Sequence, residues 1–132
     1  MNQQEVPFKV VSEISREQLK RYANASGDHN QIHLDDKVAK EMGLPGVIAH
    51  GMLIAGMLGE RGLSYFQEVS GKKGFINQFN SRFRAMVFPG DKISIGGTVK
   101  RSDSKEWVLD LQAKNQKGEI TTTALMTILI TQ

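Results

Sequence analysis

Hydrophobic and polar residues follow two different periods in the two halves of this chain. The first half has apolar residues at helical spacing, whereas from residue 74 onward apolar and polar residues alternate with a period of two. The first pattern is typical of helices packed on a core, and the second is typical of strands that bury one face. Helices followed by a run of strands predict an α+β fold.

The first half contains a short strand and two short helices. Alternation predicts the strand over residues 8–14, and residues 15–18 (Ser-Arg-Glu-Gln) have the form of a capping box that opens a helix. That helix ends near Gly27, where glycine can adopt the left-handed conformation that closes a helix. After a polar loop, a second helix is predicted over residues 35–43.

Residues 50–69 predict a longer helix of a different kind. Its apolar side chains lie on all sides for several turns, and a helix that is apolar all round is buried. Glycine in a helix interior costs up to about 1 kcal/mol, so something must favour the glycines of this segment. We expect a sheet lying close against the helix backbone. The glycines concerned are Gly51, Gly56, Gly59 and Gly62.

The second half predicts four strands joined by short turns. In the first of them, Phe75, Asn77 and Phe79 are expected to share one face with Ser81 and Phe83. Turns are predicted at residues 89–91, 102–104 and 115–118. Short turns between successive strands make a sheet antiparallel.

The predicted sheet is too small to enclose an apolar helix by itself, and it leaves an open edge. A second copy of the chain that pairs along this edge would cover both. We therefore expect an isologous homodimer, or a dimer of such dimers. A chain of 132 residues without linker or repeat forms one domain, which we assign to residues 1–132.

Composition narrows the function classes. No apolar run approaches the roughly 20 residues of a membrane span, and the first residues lack the basic and apolar regions of a signal peptide, so a cytoplasmic protein is expected. Without cysteine the chain has no disulfide, no thiolate nucleophile and no sulfur ligand for a metal. The net charge is only +3, and no basic run is interleaved with aromatic residues, so a nucleic-acid partner is not expected.

The candidate chemistry lies between residues 22 and 50, which hold all three histidines. Asp28 and His33 are five residues apart across a polar loop, where a carboxylate and an imidazole could hold a water molecule and act as general acid and base. By spacing alone, Asp28 could equally cap a turn and His33 could be a partly buried structural histidine. Both interpretations stay open at this point.

Two further features of this region concern metal binding and the start of the long helix. His29 and His33 have a spacing that suits a metal on a helix, but Gly27 favours a loop and no third ligand stands out, so no metal site is predicted. Gly51 stands at the start of the long helix, where backbone N–H groups lack intrahelical acceptors and could bind a polarised carbonyl oxygen. An ordinary helix start, with His50 as a structural residue, is the alternative.

Taken together, these motifs resemble the MaoC-like (R)-specific enoyl-CoA hydratase family of the hot-dog superfamily. The pattern is an aromatic residue, a small residue, Ser-Gly-Asp-x-Asn-Pro-hydrophobic-His, an alanine in a helix, Ile/Val-x-His-Gly-Met, and later Phe-x-x-x-Val-x-x-Gly-Asp. The matching positions here are Tyr22, Ala25, residues 26–33, Ala39, residues 48–52 and residues 83–91.

The resemblance implies a single hot-dog domain, a long helix wrapped by an antiparallel sheet. It implies that Asp28 and His33 activate water for addition to a trans-2-enoyl thioester, giving the (R)-3-hydroxyacyl thioester reversibly and with no cofactor. The Gly51 amide would hold the thioester oxygen, and Asn30 would shape the loop or contact substrate. The thioester could be carried by coenzyme A or by an acyl carrier protein. Either would suit the basic residues, among them Arg82 and Arg84, although these could simply be solvated strand residues.

One position departs from the family pattern, because Gln31 stands where proline is usual. We expect this change to alter loop rigidity or substrate preference rather than abolish the chemistry. Two alternatives to the hydratase remain: a hot-dog thioesterase, since the fold hosts both activities, and a non-catalytic acyl-thioester-binding subunit of a heterodimer. The presence of both Asp28 and His33 favours the hydratase. Acyl chain length is not predicted.

Overall fold

The computed structural model describes residues 4–131 and confirms the α+β fold. Five strands and three α-helices follow one another along the chain, with a short 3₁₀ helix, Gln31–His33, between the first two α-helices. The elements are β1 (Gln4–Glu13), α1 (Arg16–Ser26), α2 (Asp36–Glu41), α3 (Gly51–Ser70), β2 (Gly74–Phe83), β3 (Lys92–Ser102), β4 (Glu106–Lys114) and β5 (Ile120–Ile130).

The ends of α1 form as its sequence predicts. The Ser15 hydroxyl accepts a hydrogen bond from the Gln18 amide at 3.1 Å, and the Gln18 side chain accepts one from the Ser15 amide at 3.4 Å. Gly27 ends the helix with a φ of 81°, a conformation that suits a residue without a Cβ. The capping box and the glycine cap are therefore both confirmed, and together they fix where the following loop begins.

The strands form one antiparallel sheet in the order β1-β3-β4-β5-β2. β2 pairs with β5 rather than with β3, so the turn at residues 89–91 does not join neighbouring strands. Our expectation of a short turn between all successive strands is wrong at this link. Residues 84–91 instead carry the chain from one edge of the sheet to β3, beside the other edge.

The predicted faces of β2 are also wrong in part. The register with β5 shifts between Ile76 and Gln78, which is where a bulge inserts one extra residue. Ile76, before the bulge, and Phe79, after it, both pack on the core, while Phe75 is 48% exposed. Strict alternation of Phe75 and Phe79 on one face therefore fails because the bulge exchanges the faces.

α3 packs on the sheet with one side only. A Cβ added at Gly62 would lie 2.5 Å from the Met126 sulfur, so the sheet does approach the helix closely there. At Gly56, no atom of residues 4–131 outside the adjoining backbone of α3 lies within 4 Å of such a Cβ, and the expectation of close contact is wrong at that position. Met52 is 59% exposed, so this chain alone leaves part of the apolar helix uncovered.

Within residues 4–131, none of the helices has the length and apolar character that crossing a membrane requires.

Candidate active site

The loop between α1 and the 3₁₀ helix is built from consecutive side-chain turns. The Ser26 hydroxyl accepts from the Asp28 amide at 3.1 Å, the Asp28 carboxylate accepts from the Asn30 amide at 3.2 Å, and the Asn30 side chain accepts from the Ile32 amide at 3.2 Å. Such local bonds are the reason that Ser, Asp and Asn favour turns and helix caps. Asn30 therefore shapes the loop, and the 3₁₀ helix that it caps ends at His33.

His33 has a defined orientation and tautomer. Its Nδ1 lies 2.7 Å from the Ile48 carbonyl oxygen, and because a carbonyl only accepts, Nδ1 carries the proton. Nε2 is then left with a free lone pair, 3.9 Å from Oδ2 of Asp28. That distance is too long for a direct hydrogen bond, but a water molecule about 2.8 Å from each atom fits between them. The Asp28 side chain is half exposed, so water can reach the pair.

His50 lies directly behind this pair. Its ring stacks on that of His33 with centroids 3.8 Å apart, and Tyr22 meets it edge-on at 4.8 Å. Nε2 of His50 lies 3.1 Å from the backbone carbonyl oxygen of Asp28, so Nε2 carries the proton. Burial lowers the pKa of His50 below its ordinary value of 6.5, and the neighbouring His33 lowers it further, although the contacts with Asp28 oppose both effects. His50 is therefore a neutral donor.

Gly51 is the first residue of α3, and its N–H has no intrahelical acceptor. No other hydrogen-bond acceptor for this N–H lies among residues 4–131. The N-terminus of a helix carries a partial positive charge, which adds to the attraction for an oxygen with negative charge. The Phe83 ring lies against Gly51, because an added Cβ would be 3.0–3.2 Å from three of its carbon atoms. This end of α3 is a candidate oxyanion site.

A cavity of about 590 Å³ joins these groups. Its lining is mostly apolar, with a few polar groups, which is typical of a small-molecule site. Asp28, His33 and Gly51 all contribute, as does Arg84, whereas Arg82 and Asn30 are not among the lining residues. The remaining lining residues are Tyr22, Ser26, Ile48, Ala49, His50, Met52, Ile54, Phe83, Ala85, Met86, Val87 and Thr122.

The site does not have the geometry of a metal centre. Ligand atoms of Asp28, His33 and His50 lie within 4.8 Å of one another, but the two imidazoles are stacked and nearly parallel. Lone pairs lie in the ring planes, so two stacked rings cannot both direct a nitrogen at one ion about 2.0–2.1 Å away. His29 is exposed, and its Nε2 lies 3.1 Å from the Asn24 side chain. The His29–His33 spacing therefore does not produce a ligand pair.

Sequence reasoning missed Asp36, which holds the backbone of the segment that precedes α3. One of its carboxylate oxygens accepts from the Val47 amide at 2.9 Å, and the other lies 3.0 Å from an Arg16 nitrogen. The Val47 N–H and the Arg16 guanidinium hold the pKa of Asp36 below its ordinary value. The only sequence signal was its place in the first turn of α2, because both partners are brought to it by tertiary folding.

Comparisons with known proteins bear on the family and the fold of this chain. A family model described as MaoC like domain matches residues 2–123. Among solved structures, the (R)-hydratase from A. caviae involved in PHA biosynthesis has a TM-score of 0.79 at 24% identity, covering 95% of both chains. A MaoC-like dehydratase has a TM-score of 0.79 at 32% identity, covering 97% of this chain and 40% of that one. The hot-dog fold predicted from the motifs is thus confirmed.

Two curated relatives are much larger proteins than this chain. The 3-hydroxyacyl-thioester dehydratase X of Mycobacterium tuberculosis is 47% identical over 49 residues, which is 37% of this chain and 18% of that protein. Fatty acid synthase subunit beta of Aspergillus oryzae is 34% identical over 74 residues, covering 56% of this chain and 4% of that protein. The chain thus spans less than one fifth of the length of these relatives.

Proposed function

This chain belongs to the MaoC-like dehydratase family, and from that premise we propose that it adds water reversibly to trans-2-enoyl thioesters to give (R)-3-hydroxyacyl thioesters. The observation that carries the proposal is the pairing of His33 Nε2 with Asp28 Oδ2 at 3.9 Å, on the wall of the same cavity that Gly51 lines. The (R) configuration is taken from solved relatives described as (R)-hydratases, from A. caviae and Pseudomonas aeruginosa.

In the proposed hydration step, Asp28 and His33 hold the attacking water. The water oxygen forms a bond to C3 of the enoyl group while one of its protons passes to the lone pair on His33 Nε2. The Asp28 carboxylate accepts a hydrogen bond from the other water hydrogen and stabilises the imidazolium that forms. Positioned general bases of this kind typically contribute a factor of about 10² to 10⁴ in rate.

The electrons of the C2–C3 double bond then move onto the thioester, whose oxygen becomes an enolate. The Gly51 N–H, at the positive end of α3, is the donor for that oxygen. The enolate collapses as the His33 imidazolium returns its proton to C2, so that one water is consumed and the enzyme is unchanged. Dehydration is the same sequence in reverse.

Arg84 is the charged group available to the carrier of the thioester, because it lines the cavity that Asp28 and His33 share. A guanidinium suits the phosphates of coenzyme A or the acidic surface of an acyl carrier protein. Arg82 lies two residues earlier, within β2, and does not line the cavity. We therefore assign carrier binding first to Arg84, with Arg82 as an outer contact.

A second copy of the chain is the proposed partner. Met52, Phe83 and Met86 are 45–59% exposed although all three line the cavity. β2 is an edge strand, and no strand within residues 4–131 pairs with its outer side. Pairing of two copies along β2 would cover these apolar side chains and close the open edge. Light scattering should then give about twice the mass of 14.7 kDa. Solved relatives also include complexes of two different chains, ChsH1–ChsH2 and HadBC.

The test follows the loss of conjugated enoyl absorbance of crotonyl-CoA and of a longer enoyl-CoA with the purified protein. Asp28→Asn and His33→Ala are each expected to lower the rate at least about a hundredfold, whereas the control His29→Ala changes an exposed histidine outside the cavity. Chiral analysis of the product should give the (R) isomer.

Three results would contradict the proposal. Release of free thiol without loss of the enoyl group would indicate a thioesterase. Activity that survives both substitutions would remove the proposed site. A protein inert toward coenzyme A and carrier-protein thioesters until a different chain is added would indicate a binding subunit.

A further inference from the structure

We propose that His50 is a positioning residue that holds the water-activating pair in register with the oxyanion amide. The inference rests on the proposed function and adds a role for a residue that the mechanism does not use. His50 lines the cavity but is only 2% exposed, and its Nε2 is already bonded to the Asp28 carbonyl oxygen, so it is not placed to act on a substrate itself. Its effect on the reaction must therefore pass through its neighbours.

Three contacts make His50 the link between the parts of the site. Its Nε2 donates to the backbone carbonyl of Asp28 at 3.1 Å, which ties the loop to the start of α3. Its ring stacks on His33 at 3.8 Å, which fixes the plane of the imidazole that takes the proton. Its own backbone is bonded to Gly51. One side chain thus sets the distances among the water, the base and the oxyanion donor.

The tautomer of His50 is part of this role. The proton must be on Nε2 to reach the Asp28 carbonyl, and Nδ1 is buried with no hydrogen-bond partner among residues 4–131. A second proton on Nδ1 would find no acceptor there, and it would place a charge against the His33 ring. Asp28 and Tyr22 are the other titratable groups that contact this ring. A neutral His50 leaves His33 free to become charged during the reaction.

Two substitutions separate the hydrogen bond from the stacking. His50→Phe keeps a flat ring against His33 and loses the donor, whereas His50→Gln keeps an N–H donor of similar reach and loses the ring. His29→Phe makes the same chemical change at an exposed histidine and is the matched control. Because remote misplacements of about 1 Å can cost roughly a hundredfold, we expect His50→Phe to lower kcat by roughly ten- to a hundredfold with KM nearly unchanged.

The decisive measurement is a double-mutant cycle with Asp28→Asn. If His50 acts through its hydrogen bond to Asp28, His50→Phe costs little further activity once Asp28 is replaced by Asn, and His50→Gln, which keeps the donor, is faster than His50→Phe when Asp28 is present. A purely structural effect predicts instead that the two losses multiply and that Gln is no better than Phe. Either of those results would overturn the proposal.

A second measurement does not depend on activity. Nitrogen NMR of the histidine rings should show His50 at neutral pH as the neutral tautomer protonated at Nε2. A proton on Nδ1 in the folded protein would contradict the inference whatever the enzyme does. If the wild-type protein hydrates no enoyl thioester, the proposed function fails. The tautomer of His50 and the NMR signals of the His33 ring in His50→Gln still show whether His50 positions His33 and the Asp28 loop.

Discussion

Replacing Gly51 by proline replaces the N–H that would hold the thioester oxygen by a ring carbon, Cδ, which cannot donate a hydrogen bond. Proline is favoured at the first position of a helix, where the N–H has no intrahelical acceptor in any case. His50 has φ −63° and ψ 130°, which is the extended conformation that a residue before proline adopts. Gly51 is not among the glycines with positive φ. The start of α3 should therefore accommodate the proline ring.

Any side chain at position 51 also meets Phe83, so a control is needed that carries this contact alone. A Cβ at Gly51 lies 3.0 Å from Cε1 of Phe83, and the ring is 55% exposed, which leaves it room to move. Gly51→Ala brings the same Cβ and keeps the N–H. The ratio of kcat between the alanine and proline variants therefore removes the effect of the Cβ and reports the loss of the N–H together with the ring Cδ that replaces it.

Loss of one oxyanion donor typically costs about 10² to 10³ in kcat, or about 2.7–4 kcal/mol. We expect a ratio in that range with crotonyl-CoA, and circular dichroism should show that both variants are folded and melt at similar temperatures. If the proline variant is as fast as the alanine variant, Gly51 does not hold the thioester oxygen, and the proposed polarisation of the substrate is wrong.

Three further outcomes concern stability, each measured by thermal unfolding at one protein concentration. Gln31→Pro should stabilise the fold by about 0.4–1 kcal/mol. The reason is that Gln31 is the first residue of the 3₁₀ helix and its N–H has no acceptor among residues 4–131. A lower melting temperature would show that the loop does not accept proline. Gly56→Ala should stabilise the fold by about 0.5–1 kcal/mol. Gly62→Ala places a Cβ 2.5 Å from the Met126 sulfur and should destabilise the fold by about 1 kcal/mol net. Equal effects of the two substitutions would contradict the packing of α3 on the sheet. The pKa of His50 in the folded protein lies below 6.5, so between these two values the unfolded chain binds a proton that the folded chain does not. The free energy of unfolding should therefore fall as the pH drops from 6.5 toward the lowered pKa, and His50→Phe should reduce this dependence on pH.

The features predicted correctly from the sequence are those that short stretches of chain determine. The capping box at Ser15 and the left-handed Gly27 depend on residues within one or two turns. The separation of Asp28 and His33 is set by a loop of side-chain turns, each spanning two residues. These contacts join residues that are close in sequence, so residue type and spacing are enough to predict them.

The features predicted wrongly or missed depend on which elements meet. The alternation of apolar and polar residues in β2 is the same whether the strand pairs with β3 or with β5. The residue types near Asn77 do not indicate that a bulge forms there. His50 and Asp28 are 22 residues apart, so their hydrogen bond exists only because α3 docks beside the loop. Sequence reasoning treated His50 as structural because nothing in its local sequence indicates that it contacts Asp28.

The link that was predicted wrongly is also the one that completes the site. Residues 84–91 run from β2 toward β3 rather than turning back, and this path carries the Val87 carbonyl to the Ala49 amide at 2.7 Å. That bond anchors the backbone directly before His50 and Gly51, while Arg84 and Met86 from the same segment line the cavity. A tight β2–β3 hairpin would have left the start of α3 without this support. The pairing of β2 with β5 is therefore a requirement of the site as well as of the sheet, and a change that weakens the 84–91 crossover should reduce activity before it unfolds the core.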